Sequence, residues 1–377
     1  MDGQLSLFLA GDVMLGRGVD QILRHPGDPR LAEPVIRDAR DYVHLAERVN
    51  GPVPRPVDAA WPWGVALDVL DDAAPDLRIV NLETSVTTSG DFAPGKRVHY
   101  RMHPANLPAL SVARPDACVL ANNHVGDFGR RGLVETLDAL ARAGLVAVGA
   151  GRDAEEAARP AVLPVGGGRR VLVFAVGTVS SGIPPAWGAA ADRPGVALTE
   201  LTDQAALALT DAVRRVRTPS DRVVVSIHWG SNWGDDVPRR HVDFAHRLID
   251  SGVDLVHGHS SHHPRAIELY RGHLVLHGCG DLVDDYEGIG GHEHHRPDLR
   301  LLHLARIEAD TGRLVELRMV PLQTRRLRLE HAGPADTAWL ARTLTRVSAG
   351  LAPPVVAVDG TLVLRPPDGP PRRTRPG

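Results

Sequence analysis

The chain has little with which to cross-link itself. Only two of its 377 residues are cysteine, Cys118 and Cys279, each set in an apolar or glycine-rich stretch. A disulfide framework is thereby excluded, and a reducing compartment is the simpler setting. Lysine is scarcer still: Lys96 stands alone, so almost all positive charge is arginine. Together with heavy use of Ala, Gly and Pro this matches a GC-rich coding bias, and arginine clusters are therefore not read as binding patches. Neither charge is in excess. The net of -3 gives no electrostatic case for nucleic acid or an anionic membrane. No apolar run is long enough to span a bilayer. Residues 1–10 lack a basic leader, and their apolar run stops at Gly11-Asp12, so they read as a first strand and not as a signal peptide. A Walker-type loop is also missing. Gly166-Gly167-Gly168 has no following lysine and reads as a hairpin turn.

What is there is ample material for a core, with 43% hydrophobic residues, and a repeated arrangement of short apolar runs, each of the form of a buried strand. Leu5 to Ala10 leads into Gly11-Asp12-Val13-Met14, and Leu77 to Val80 into Asn81-Leu82-Glu83. Ala117 to Ala121 leads into Asn122-Asn123-His124 and on to Asp127, and Arg222 to Ile227 into His228-Trp229-Gly230. Val253 to Val256 leads into His257-Gly258-His259-Ser260-Ser261-His262-His263. Each run thus delivers a carboxylate, amide or imidazole to the loop just past a strand, the edge of an α/β sheet where ligands collect.

Carboxylate, amide and neutral imidazole without thiolate suit one or two divalent ions such as manganese, iron or zinc, and argue against a structural zinc site. Two such ions can clamp a phosphoryl group, and a positioned His124 can protonate a leaving group. Arg17 and Arg101 are candidates for phosphate or carboxylate contacts, because the guanidinium fork suits both groups. Trp61, Trp63, Trp229 and Trp233 are candidates for a pocket rim or for core packing. The polar stretch Gly291-His292-Glu293-His294-His295 reads as a mobile loop near the site.

Between these segments, Leu133 to Ala143, Gln204 to Val216, His241 to Ile249 and Ala335 to Val347 carry helical spacing. Ala266 to Tyr270 with His273 to Leu276 reads as a hairpin, and Leu301 to Ile307 with Leu314 to Met319 as paired strands. The expected organisation is a main domain over 1–330, a helix and strand packed on it over 331–364, and a Pro- and Arg-rich disordered tail over 365–377.

The ordered set Gly11-Asp12-Val13-Met14, Asn81-Leu82-Glu83, Asn122-Asn123-His124, His228-Trp229-Gly230 and Gly258-His259 through His262 resembles the calcineurin-like metallophosphoesterase superfamily. More narrowly, the chain resembles the CapA (PgsA) family of capsule and poly-γ-glutamate biosynthesis. That likeness runs from Leu5 to about Leu364 and includes Tyr100-Arg101-Met102-His103-Pro104 and Tyr286-Glu287-Gly288.

The resemblance implies an α/β fold, a four-layer αββα sandwich of two mixed sheets, with one or two divalent metals on the strand-end loops. It implies Asp12 and His262 on the first metal, Glu83 as the bridging acid, and Asn123, His228 and His259 on the second. His124 would be the acid-base residue with Asp127 orienting it. Apart from that likeness, Arg17, Asn81, Arg101 and Trp229 are the residues expected to face substrate. Met14 stands where the superfamily usually has a histidine, and the last histidine pair is spaced by three residues instead of two. The number of metals therefore stays open, as does the choice of ligands among His257, His259, His262 and His263. The expected activity is metal-dependent hydrolysis of a phosphorylated or glutamyl-type anionic substrate, small or oligomeric. The alternative is an accessory or amide-forming or amide-cleaving role in γ-glutamyl polymer synthesis without phosphatase activity. Members of the resembled family often carry a membrane anchor; none is read here, and a cytoplasmic location is expected.

Overall fold

A computed structural model describes residues 3–367. Its strands form two large mixed sheets and two separate two-stranded ladders, 85–86 with 101–102 and 150–151 with 195–196. The larger has the order 356–358, 361–364, 314–324, 299–308, 4–13, 77–82, 117–119, 147–148, with 281–283 paired beside 4–13 and 329–331 beside 314–324. The smaller has the order 267–270, 273–276, 255–259, 222–228, 169–177, 161–165. In each sheet the central strands run parallel: Gln4–Val13 with Leu77–Leu82, and Arg222–His228 with both Arg169–Gly177 and Leu255–His259.

Alternation along the strands shows how the sheets are covered. From Gln4–Val13, the side chains of Leu5, Leu7 and Leu9 join Val171, Val173, Val224 and Leu255 of the smaller sheet in one buried cluster, so these faces pack on each other. Phe8 and Ala10 point the other way, into a second cluster with Val43 and Ala46 of helix Arg40–Asn50 and Leu133, Leu137 and Leu140 of helix Gly129–Arg142. Likewise Leu172, Phe174, Val223 and Val225 meet Ala206 and Val213 of helix Asp203–Val216 and Phe244 and Leu248 of helix Arg239–Asp250. Both faces of each sheet are thus buried, which is why the strands read as near-continuous apolar runs.

Leu340 and Leu344 of helix Pro334–Val347, with Leu362 and Leu364, belong to the inter-sheet cluster. The expected disordered tail falls mostly on 368–377, outside the described residues. Its first residue, Arg365, is described and pairs with Glu316 at 2.6 Å. No helix among the described residues is long and apolar enough to cross a membrane.

One expectation is corrected. Asp12, Asn81, His228, His257 and His259 lie on the strands themselves, not on the loops after them. The ladders extend further than the apolar runs because the last residues still find parallel partners: Asp12 opposite Asn81 and Asp281, and His228 opposite His259.

Candidate metal centre

The carboxyl ends of the parallel strands of both sheets meet at one place. Gly11 permits the approach: a Cβ there would sit 1.7 Å from the carbonyl oxygen of Gly280. With glycine, Gln4–Val13 lies against Asp281–Val283, and Asp12 and Asp281 become register partners. On the other sheet the chain leaves Leu255–His259 through Ser260, whose φ of 104° is a conformation that side chains other than glycine's rarely adopt. That turn brings His262 back toward Asp281, with Nδ1 at 2.9 Å from Oδ1.

Two groups of possible ligands result, Asp12 with His228 and His259, and Asp12 with His262 and Asp281. Within each group the donor atoms lie within 4.8 Å of one another, and Asp12 is common to both. Glu83 stands beside them, its Oε1 at 3.8 Å from both His124 Nε2 and His228 Nε2. Asn123 Oδ1 is 3.0 Å from His228 Nε2. All six residues expected as ligands are therefore neighbours, and Asp281, which the strand-end pattern missed, joins them. Met14, at the position where the resembled superfamily usually has a histidine, is fully buried.

A hydrogen-bond chain sets the imidazoles. His257 Nε2 is 2.8 Å from the Ala10 carbonyl oxygen, which can only accept, so His257 donates from Nε2 and leaves Nδ1 bare. Ser226 Oγ donates to that Nδ1 at 3.1 Å and accepts from His259 Nε2 at 2.9 Å. His259 consequently has its Nδ1 lone pair facing the site, where His228 Nδ1 lies 2.7 Å away. His257 is thus an orienting residue behind the ligand, the arrangement metal-binding histidines characteristically have. His263 turns outward and is absent from both groups.

The electrostatics favour a cation. Burial, then the nearby charge of Asp281, pushes the Asp12 carboxyl up to about 7, and burial with Asp12 pushes Glu83 well above the usual carboxylate range. Asp12 Oδ2 and Asp281 Oδ2 are buried without a hydrogen-bond partner among the described residues. Crowded, dry carboxylates with unspent acceptor oxygens are costly unless a cation joins them. Burial holds His228 and His259 well below the ordinary imidazole value, each reinforced by a neighbouring histidine, so both are neutral as ligation requires. Burial opposes charge on His262 as well, but Asp281 outweighs it and raises the value. The donor set and the orphaned oxygens therefore fit one or two divalent ions.

Beside this cluster, His124 Nδ1 is 2.6 Å from Asp127 Oδ2. Asp127 also accepts from the Tyr100 backbone N–H at 2.7 Å and from Lys96 Nζ at 2.7 Å. Lys96 reaches the Asn123 carbonyl oxygen too, so the chain's lone lysine braces this corner. Burial dominates at His124 and lowers it to about 4 although Asp127 opposes the shift; the ring is neutral with Nδ1–H on Asp127 and Nε2 toward Glu83.

The residues expected to face substrate are placed differently. Arg17 gives Nε and Nη2 to Asp285, at 2.8 and 2.5 Å, and Nη1 to Glu33 at 3.2 Å. Arg101 donates to the carbonyl oxygens of Ser89 and Asp28. Both forks are taken up by these partners within the chain. Trp229 is buried between His241 and His277 and donates to the His277 carbonyl oxygen at 3.0 Å, a packing role. Asn81 donates to Asp12 at 2.7 Å and Glu83 at 3.1 Å and accepts from Asn122 at 3.0 Å, so it braces the carboxylates. A cavity of about 210 Å³, lined among others by Asn232, Trp233, Tyr286 and His292, reaches the centre at His262. Of these, Trp233, His262, Tyr286 and His292 stand in stretches that the sequence already marks, and Asn232 does not. The expected mobile loop ends in the turn Glu293–His295 and packs on Trp233.

Residues 6–286 match the family described as bacterial capsule synthesis protein PGA_cap. The chain is 54% identical over 351 residues, 91% of each chain, to a probable polyglutamine synthesis accessory protein of Mycobacterium tuberculosis. It is 25% identical over 283 residues to the capsule biosynthesis protein CapA of Bacillus anthracis, covering 75% of this chain and 60% of that one. It is 24% identical over 288 residues to the PGA biosynthesis protein CapA of Bacillus subtilis, covering 75% and 64%.

Proposed function

Since the chain belongs to the family of bacterial capsule synthesis proteins, we propose that it is a metal-binding accessory protein of glutamyl-polymer synthesis, acting on an anionic glutamyl chain or its precursor. The observation that supports this most is the pair of ligand groups meeting at Asp12, with orphaned carboxylate oxygens beside neutral imidazoles. Asp12, His228 and His259 would hold one ion, and Asp12, His262 and Asp281 a second, with Glu83 and Asn123 adjoining. Manganese, iron and zinc all suit these donors. Such an ion would supply Lewis acidity toward a carbonyl, carboxylate or phosphoryl oxygen. We read the three core clusters as the three interfaces between the layers of a four-layer αββα sandwich, and the protein as cytoplasmic.

A second reading, metal-dependent phosphate-ester hydrolysis, is favoured by the His124–Asp127 pair. Asp127 fixes the ring, and Nε2 is left to take up or return a proton at a reacting oxygen. One experiment separates the readings. Purified protein loaded with manganese, iron or zinc is offered γ-glutamyl oligomers and a panel of phosphate mono- and diesters. Binding or cleavage of the oligomer with inert phosphate esters supports the accessory role. Turnover of the esters alone supports the hydrolase, and absence of bound metal in every preparation overturns both.

A further inference from the structure

A separate group of side chains of metal-ligating type lies behind Trp233, the residue that lines the 210 Å³ cavity and stacks on His263 and His295. Asp235, His263 and His295 come from three distant segments, yet their donor atoms lie within 4.8 Å of one another. His263 is 3% exposed, and its Nε2 is buried without a partner among the described residues. Its Nδ1 is 3.2 Å from the Pro264 carbonyl oxygen. A carbonyl accepts, so Nδ1 carries the proton and the bare Nε2 lone pair points into the group, the tautomer a metal ligand needs. His295 Nδ1 and Asp235 Oδ1 are 3.6 Å apart, too far for a hydrogen bond. Two ligands on one tetrahedral zinc, each at about 2.0–2.1 Å, stand about 3.3 Å apart. The spacing is thus close to that of ligands sharing an ion. Arg346 holds the other Asp235 oxygen at 2.8 Å, leaving Oδ1 for the group. His263 and His295 stack at 4.0 Å with their planes 16° apart, so ligation of one ion by both requires the His295 ring to turn about its side-chain bonds; Trp233 stacks on His292 at 3.9 Å.

We propose that Asp235, His263 and His295 form a second, independent site for a zinc-like divalent transition metal, which clips the Glu293–His295 turn onto the Trp233 loop beside the cavity. Two imidazoles and one carboxylate without thiolate leave a fourth position for water and suit zinc, with copper and nickel as competitors. The site shares no ligand with the Asp12 centre, so it stands whether or not that centre is catalytic.

Zinc stoichiometry of the full chain, measured by competition with a chromophoric chelator, tests the proposal. H295A should bind one equivalent fewer than the parent protein, and D235N should lose the same equivalent or hold it at least about 100-fold more weakly. H228A should lose a different one, and H228A with H295A both. Cobalt loaded into H228A should show tetrahedral absorption, and adding H295A should remove one equivalent's share of it. His295 sits on a surface turn, so H295A is the variant least exposed to folding failure; H294A, changing the exposed neighbouring imidazole, should keep full stoichiometry. An unchanged count in H295A, or equal loss in H294A, overturns the proposal.

Discussion

Asp12 and Asp281 stand opposite each other on adjacent parallel strands, 269 positions apart in sequence and direct partners in register. Each has one oxygen without a hydrogen-bond partner. The pair sets two buried carboxylates side by side at the strand ends.

Asp281→Asn should therefore reduce the metal held by the Asp12 centre by up to one equivalent while leaving the fold intact. The measurement is elemental analysis after dialysis, with circular dichroism as the control. An unchanged metal content would remove Asp281 from the ligand set.

Ser226 touches no ion in this arrangement, yet it passes the orientation of His257 to His259. Ser226→Ala should weaken metal binding about 10- to 100-fold, the usual effect of removing an outer partner of a ligating histidine. Titration with zinc or manganese reads the change, and Ser226→Thr should restore most of the affinity.

For whichever substrate is turned over, Asp127→Asn should lower kcat by about 10²–10⁴-fold with metal content unchanged. The cause would be loss of the partner that fixes the His124 proton on Nδ1. A rate equal to the parent's would show that His124 does not move a proton in the reaction.

Stability toward acid should depend on Asp221. Hydrogen bonds from Arg170, against the opposing effect of burial and with help from the Thr218 N–H, hold its carboxyl down to about 2. A depressed carboxylate contributes stability above its unfolded value of about 3.9 and loses it as pH falls toward the folded value. Asp221→Asn should thus be less stable at pH 7 by about 1–2 kcal/mol, and the difference from the parent should shrink between about pH 4 and 2. Urea unfolding across that range measures it, and a constant difference would contradict the assignment.

Much of this site is legible in the sequence because most of it is local: a short apolar run followed at once by a polar residue, five times. The period-2 spacing of His257 and His259 could also have shown that both lie on a strand and share a face. What escapes is decided by distant partners. Asp281 is inconspicuous until Asp281–Val283 pairs beside Gln4–Val13, and nothing near Arg17 in sequence reveals that Asp285 will occupy its fork. Trp229 and Trp233, four residues apart, are chemically alike; only packing sends one into the core and leaves the other on the rim.

The lone lysine beside Asp127 has a practical side. Apart from the α-amino group, an acylating reagent finds a single primary amine in the whole chain, and that amine's side chain is 13% exposed against the acid that orients His124. A fluorophore, an isotopic methyl group or an enzymatic acetyl mark placed on it would report from this one corner of the molecule, free of background from elsewhere.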